Sequence, residues 1–210
     1  MKVYVALMLT ISLLNARHQD PTYYLEGRLP PSNGRYKTFK EALEMMSQRN
    51  VKTIVETGTE RWQEGQYCFD GDGGSTIIFG HWATENRAKM YSVDINQTHL
   101  EYSKGNTKSY LSNLSLVCSD SVTYLQNFKG KIDFLYLDSF DYDEKNPTPA
   151  QQHCLREIMA AEDKLTQNSI VMIDDCNVPG GGKGLLAIRY LLEKGWHLHK
   201  NCHQVILIKL

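Results

Sequence analysis

Residues Val51–Thr59, VKTIVETGT, constrain the fold more than any other stretch of the chain. Thr53, Ile54 and Val55 form a short β-branched run that leads directly into Glu56-Thr57-Gly58-Thr59. An apolar run without strict alternation is the mark of a strand buried on both faces, as in a parallel α/β sheet. A carboxylate and a glycine at its C-terminal end fall where such sheets leave a ligand crevice.

The chain has 210 residues, enough for one domain with a substantial core. We divide it into an N-terminal segment and linker, residues 1–37, and a single domain, residues 38–210. A formal net charge of −1 gives no bulk attraction to nucleic acid or to a membrane surface. No stacking-aromatic motif of an RNA reader is present. The five cysteines are scattered, odd in number and without a CxxC pair. That argues against a disulfide framework or a zinc site and fits a reducing, cytoplasmic setting. Val3–Leu14 is apolar and preceded by Lys2, a weak signal-peptide-like feature too short to span a bilayer as a helix. Oligomeric state is unreadable from the sequence.

Tyr23, Tyr24 and Tyr36 lie in a proline-bearing linker and are expected to pack it on the core, the alternative being that they cover a substrate cleft. Thr38, with Glu41 three residues on, predicts a capping box for a helix ending near Asn50. Glu60–Asp72 reads as an enlarged loop over the cleft. Gly73-Gly74-Ser75-Thr76 then opens an apolar helix whose N-terminus would let backbone N–H groups approach a ligand.

Met90–Ile95 is a second strand, carrying Asp94 at its end, 20 residues after Gly74. That register suits a carboxylate accepting hydrogen bonds from ribose hydroxyls. A helix over Thr98–Leu111 follows. Leu114–Cys118 is strand three, and Ser119-Asp120-Ser121 after it either caps the next helix or meets an adenine amino group. Ile132–Leu137 is strand four, ending at Asp138. A helix is expected from Pro149 to about Leu165. Ile170–Ile173 is strand five, ending at Asp174-Asp175. Pro179–Gly184 is a glycine-rich turn into a helix through Leu192, and Trp196–His199 with Gln204–Leu210 form a closing antiparallel hairpin.

This order of elements, from about residue 40 to the end, resembles a class I S-adenosylmethionine-dependent methyltransferase. The resemblance rests on Glu56-Thr57-Gly58-Thr59 as the first motif, Asp94, Asp120, Asp138 and the terminal hairpin. The GGST helix start and the aspartates after strands four and five are similar to small-molecule O-methyltransferases and to the cephalosporin-hydroxylase-like group. The Glu60–Asp72 loop departs from both.

The resemblance implies an α/β, Rossmann-like, doubly wound and mostly parallel sheet with a C-terminal antiparallel hairpin. It implies S-adenosylmethionine as cofactor and methyl transfer to a small-molecule hydroxyl. The implied cofactor contacts are Glu56, Thr57, Gly58, Thr59, Gly74, Ser75, Asp94, Asp120, Ser121 and Asp138. Glu56 would engage the ammonium or ribose side, and Gly58 would admit the methionine part. Asp138 and Asp174 are the catalytic candidates. Asp138, Asp174 and Asp175 would offer oxygen ligands to Mg²⁺ or another divalent cation. In catechol-type relatives an asparagine stands where Asp175 does. His153 is either a general base or a structural helix residue. Lys183 either meets an acidic substrate or is solvated. The rival readings are a non-catalytic S-adenosylmethionine-binding protein and, disfavoured by the single glycine after strand one, an NAD-dependent oxidoreductase.

Overall fold

A computed structural model describes residues 20–63 and 73–210. The signal-peptide-like run and most of the enlarged loop lie outside the described residues. Seven strands form one sheet in the order β3-β2-β1-β4-β5-β7-β6. In chain order the helices and strands are α1 (Thr22–Leu25), α2 (Tyr36–Gln48), β1 (Thr53–Thr57), α3 (Ser75–Glu85), β2 (Lys89–Asp94), α4 (Gln97–Asn106), β3 (Leu114–Cys118), α5 (Ser121–Asn127), β4 (Ile132–Leu137), α6 (Thr148–Ala161), β5 (Leu165–Ile173), α7 (Leu185–Glu193), β6 (His197–Asn201) and β7 (Val205–Ile208). Strands β1 to β5 run parallel, while β7 pairs antiparallel with both β5 and β6. This is the doubly wound sheet with a closing hairpin that the sequence implies.

The two-residue period of a strand explains why the central strands are apolar throughout. Ile54, Phe134, Tyr136, Ile170 and Met172 enter one core, beneath α2 and α3. Their neighbours Val55, Leu135, Leu137, Val171 and Ile173 enter the other, with Ile158 and Leu191 from α6 and α7. Helix α3 buries nearly its whole circumference, from Ser75 to Ala83 apart from His81, so its apolar residues show no single stripe. Phe79 is its anchor: the ring stacks on Phe39 at 5.2 Å and meets Phe134 edge-on at 5.0 Å. Tyr24, Leu25 and Leu29 join the same core, which fixes the described part of the linker on the domain.

Several local expectations shift. Thr38 does not cap α2, which begins two residues earlier, at Tyr36, without a side-chain cap. Its hydroxyl is buried and instead reaches the Arg35 carbonyl and Gln204. Helix α4 stops at Asn106, because Gly105 and Asn106 favour leaving the helix; a separate 3₁₀ turn covers Lys108–Tyr110. Likewise α6 ends at Ala161 and gives way to a 3₁₀ turn. Strand β5 begins five residues earlier than its apolar run, since its first half is polar and partly exposed.

Truncation of Phe79 to alanine removes a fully buried ring from the packing of α3 on the sheet. Urea unfolding of Phe79→Ala should show a loss of about 3–5 kcal/mol. A loss below about 1 kcal/mol would contradict this packing.

Candidate functional site

The connections from β1 and β4 leave the sheet in opposite directions, towards β2 and β5, and so open a crevice at the strands' C-terminal ends. Gly58 sits at its base with φ +82°. Its N–H donates to the Val93 carbonyl at 2.8 Å. A Cβ here would lie 2.6 Å from the Asp138 carbonyl oxygen, so only glycine lets the exits of β1 and β4 come this close. The resulting cavity has a volume of about 460 Å³, within the ~300–1,000 Å³ typical of small-molecule sites.

The strand ends line this cavity. Gly58, Thr59, Ser75, Asp94, Asp120, Ser121 and Asp138 all contribute. Asp94 accepts from the backbone N–H groups of Thr59 (3.2 Å) and Asn96 (2.7 Å), with His99 Nδ1 at 3.4 Å. Each carboxylate oxygen has two lone pairs, so these bonds hold the group while leaving it able to accept from ligand hydroxyls. Asp120 caps α5, accepting from Thr123 N–H at 2.8 Å. That bond holds its carboxyl below the usual carboxylate range.

Glu56, Thr57 and Gly74 do not line the cavity. Glu56 is fully buried, and its Oε2 accepts from Thr76 at 2.7 Å and Ser92 at 2.5 Å. Thr76 in turn accepts from the Glu60 N–H at 2.9 Å. Glu56 thus ties β1 to β2 and to the start of α3, where the sequence suggested a cofactor contact. Gly74 precedes α3 in the left-handed region, and Ser75 is the residue that reaches the cleft.

The sequence reading missed Glu60, His99, Ser139 and Phe140 as lining residues and left His153 undecided. His153 Nε2 lies 3.0 Å from Ser121 Oγ and 3.5 Å from the buried Glu157. Ser139 Oγ donates to Glu157 at 2.6 Å. Phe140 has φ +63°, a strained conformation for a bulky residue and one that recurs at binding sites. Its ring lies 5.3 Å from that of His153. Above them Arg61 pairs with Asp141 at 2.9 Å, linking the loops after β1 and β4.

The three aspartates after β4 and β5 are interleaved with basic side chains. Asp138 reaches the cavity; Asp174 and Asp175 do not. Lys183 Nζ stands between Asp138 Oδ1 at 2.8 Å and Asp175 Oδ2 at 3.2 Å. Arg35 contacts Asp174 at 3.2 Å and Asp175 at 3.5 Å. Asp174 also accepts from Tyr136 OH at 2.9 Å and from the Asp175 N–H at 2.8 Å. His203 Nε2 lies 3.2 Å from Asp175 and 3.5 Å from Asp174. Asp174, Asp175 and His203 do bring ligand atoms within 4.8 Å of one another. The carboxylate oxygens of this set are engaged by Arg35, Lys183, Tyr136 and a backbone N–H, while His203 Nε2 makes no hydrogen bond among the described residues.

Lys183 is neither solvated nor facing substrate; it is 2% exposed. Burial works against its charge, but Asp138 and Asp175 outweigh that and raise its pKa. Burial drives the Asp138 carboxyl well up, with Lys183 opposing. Burial also works against an ionised Asp175, but His203, Lys183 and Arg35 prevail and hold it far below its ordinary value.

A family model described as a methyltransferase domain matches residues 71–176, half of the chain. No curated protein sequence matches. Among solved structures, NSun6 from Pyrococcus horikoshii with SFG superposes at a TM-score of 0.60 and 15% identity, covering 80% of this chain and 50% of that one. This chain therefore spans only half the length of that protein. The SAH-bound methyltransferase PaMTH1 from Podospora anserina gives 0.60 at 12% identity, covering 97% and 95% of the two chains. An O-methyltransferase from Bacillus cereus in complex with SAH gives 0.55 at 13% identity, covering 96% and 86%. At such identities the likeness concerns the fold. Taken with the family match, the chain belongs to the methyltransferase domain family, and its architecture is that of the class I S-adenosylmethionine-dependent methyltransferases.

Proposed function

We propose that the cleft binds S-adenosylmethionine and transfers its methyl group to a hydroxyl of a small molecule. The observation that carries this reading is the convergence of Asp94, Asp120 and Asp138, from the ends of three adjacent or near-adjacent strands, on one cavity. In this reading Asp94 accepts from the ribose hydroxyls. Asp120 and Ser121 meet the adenine, and the backbone at Gly58 and Thr59 receives the methionine part. The O-methyltransferase and SAH named in the relatives' descriptions support the choice of reaction and cofactor. A net charge of −1 supports a small acceptor over a polyanion.

Methyl transfer from a sulfonium is an in-line displacement. The acceptor oxygen bonds to the methyl carbon as the carbon–sulfur bond breaks, and the bonding pair returns to sulfur to leave S-adenosylhomocysteine. The acceptor's proton needs a base. In this reading Asp138 takes that role, supported by its position on the cavity wall and by the burial that raises its proton affinity. The protein otherwise acts by positioning and by excluding water. Direct support would come from turnover of S-adenosylmethionine with a panel of hydroxylated small molecules, read by mass spectrometry as methylated product. Transfer to RNA but to no small molecule would contradict the acceptor class.

Asp94→Asn removes the charge that accepts from ribose and should weaken S-adenosylhomocysteine binding about 10- to 100-fold by calorimetry, from the ~1.5–3 kcal/mol of a charged hydrogen bond. Asp120→Ser keeps an N-cap of similar strength but deletes the carboxylate. Lost affinity at unchanged melting temperature would mark Asp120 as a ligand contact; unchanged affinity would leave it as a cap. Asp138→Asn should lower kcat by about 10²–10⁴-fold. In the native chain kcat should fall on acidification, with a midpoint above the ordinary carboxylate range, because the base must be deprotonated and burial raises its pKa. A flat acid limb would exclude Asp138 as the base.

A further inference from the structure

We propose that Lys183 is a built-in cation of this site, a positioning residue whose ammonium takes the place between Asp138 and Asp175 that a divalent ion would otherwise fill. The inference rests on the methyltransferase reading for its catalytic meaning, but its geometry stands apart from it. Three features support it.

The first is contact: Nζ touches carboxylate oxygens on the ends of two neighbouring strands, at 2.8 and 3.2 Å. A bound Mg²⁺ or Ca²⁺ would demand those same oxygens at roughly 2.0–2.6 Å, and would have to compete for them against the ammonium and its repulsion. The second is the balance of charge. Three carboxylates face two cations, Lys183 and Arg35, so most of their charge is balanced without any ion.

The third is the construction of the turn that delivers the lysine. Gly182 has φ +66°, and a Cβ there would lie 2.1 Å from the Asp175 carbonyl oxygen. The following N–H, that of Lys183, donates to the same carbonyl at 3.1 Å. At Gly184 a Cβ would lie 2.6 Å from Cys176 Sγ. The buried side chain of Gln151 donates to the carbonyls of Gly180 and Gly182 at 3.0 and 3.1 Å. The glycine-rich segment therefore folds back on the end of β5 and is pinned there, which drives a long cationic side chain inward beneath Asp138. In this position Lys183 shields Asp138 from Asp174 and Asp175 and holds one of its oxygens, fixing the carboxyl on the cavity wall.

The test uses Mn²⁺ as probe, read by electron paramagnetic resonance, with S-adenosylhomocysteine affinity measured on the same samples. The native chain should bind no Mn²⁺ through these aspartates, so Asp175→Asn should leave its Mn²⁺ response unchanged. Lys183→Met empties the position without adding polarity and should gain a site at least tenfold tighter than any in the native chain. Adding Asp175→Asn should abolish that gain. Native Mn²⁺ binding that Asp175→Asn removes would overturn the proposal, as would a folded Lys183→Met chain that gains no site. Should Lys183→Met not fold, the native comparison with Asp175→Asn still decides the matter. A native chain that binds no S-adenosylhomocysteine would defeat the methyltransferase reading and leave the Mn²⁺ result to stand alone.

Discussion

The close approach of two strand exits organises the site. At Gly58 the chain leaving β1 passes so near the Asp138 carbonyl that no side chain fits between them. That contact places Asp138 on the wall of the cleft while the Gly58 N–H is spent on Val93 of β2. Strands β1, β4 and β2 are thereby locked at one point, and Asp94 and Asp138, from the ends of β2 and β4, share one cavity with Asp120 from beyond β3. Glu56 reinforces the lock from behind, holding β2 and α3 through Ser92 and Thr76. Both hydroxyl donors converge on Oε2 of this buried carboxylate, hydrogen bonds of the kind that offset part of the cost of burying a charge.

The cleft has two ends of different character. Towards β2 and β3, Asp94 and Asp120 are held by backbone N–H groups and face a partly open space. Such sites suit hydroxyl and amino donors of a nucleoside. Towards β4 and β5 the acidic residues are stacked two deep, and the inner pair is contacted by Lys183, Arg35 and His203. Only Asp138 spans both settings: it faces the cavity in front and the ammonium behind. In the proposed reading, this carboxyl, raised in proton affinity and held by the Lys183 ammonium, is the group that takes the acceptor's proton.

Much of this was legible in the sequence because strands buried on both faces announce themselves as apolar runs. Ile132–Leu137 and Leu114–Cys118 were found to the residue, and the carboxylates at their ends follow from the runs. The polar start of β5 and the early start of α2 were not visible, since exposed strand residues and uncapped helix starts leave no pattern. Glu56 and Asp94 look alike in sequence, each a carboxylate at a strand end. Only their surroundings separate them: Ser92 and Thr76 close over Glu56, while Asp94 stays open to the cleft. Lys183 was ambiguous for a related reason. Its partners lie 8 and 45 residues away in the chain, and a glycine-rich turn discloses flexibility of path but not its direction. The pairing of Phe140 with His153 joins a loop to a helix, and no local periodicity encodes it.

The central claim is that one cleft, bounded by Asp94, Asp120 and Asp138, is a pocket for an adenosyl sulfonium. Thermal-shift titration of the native chain with S-adenosylmethionine, S-adenosylhomocysteine and NAD addresses it most directly. Ligand at 100 times its Kd should stabilise the fold by about 2.7 kcal/mol, raising Tm by roughly 5–10 °C for a chain of this size. The account predicts a saturable rise with the first two compounds and none with NAD. No rise with either, or a rise with NAD alone, would contradict it.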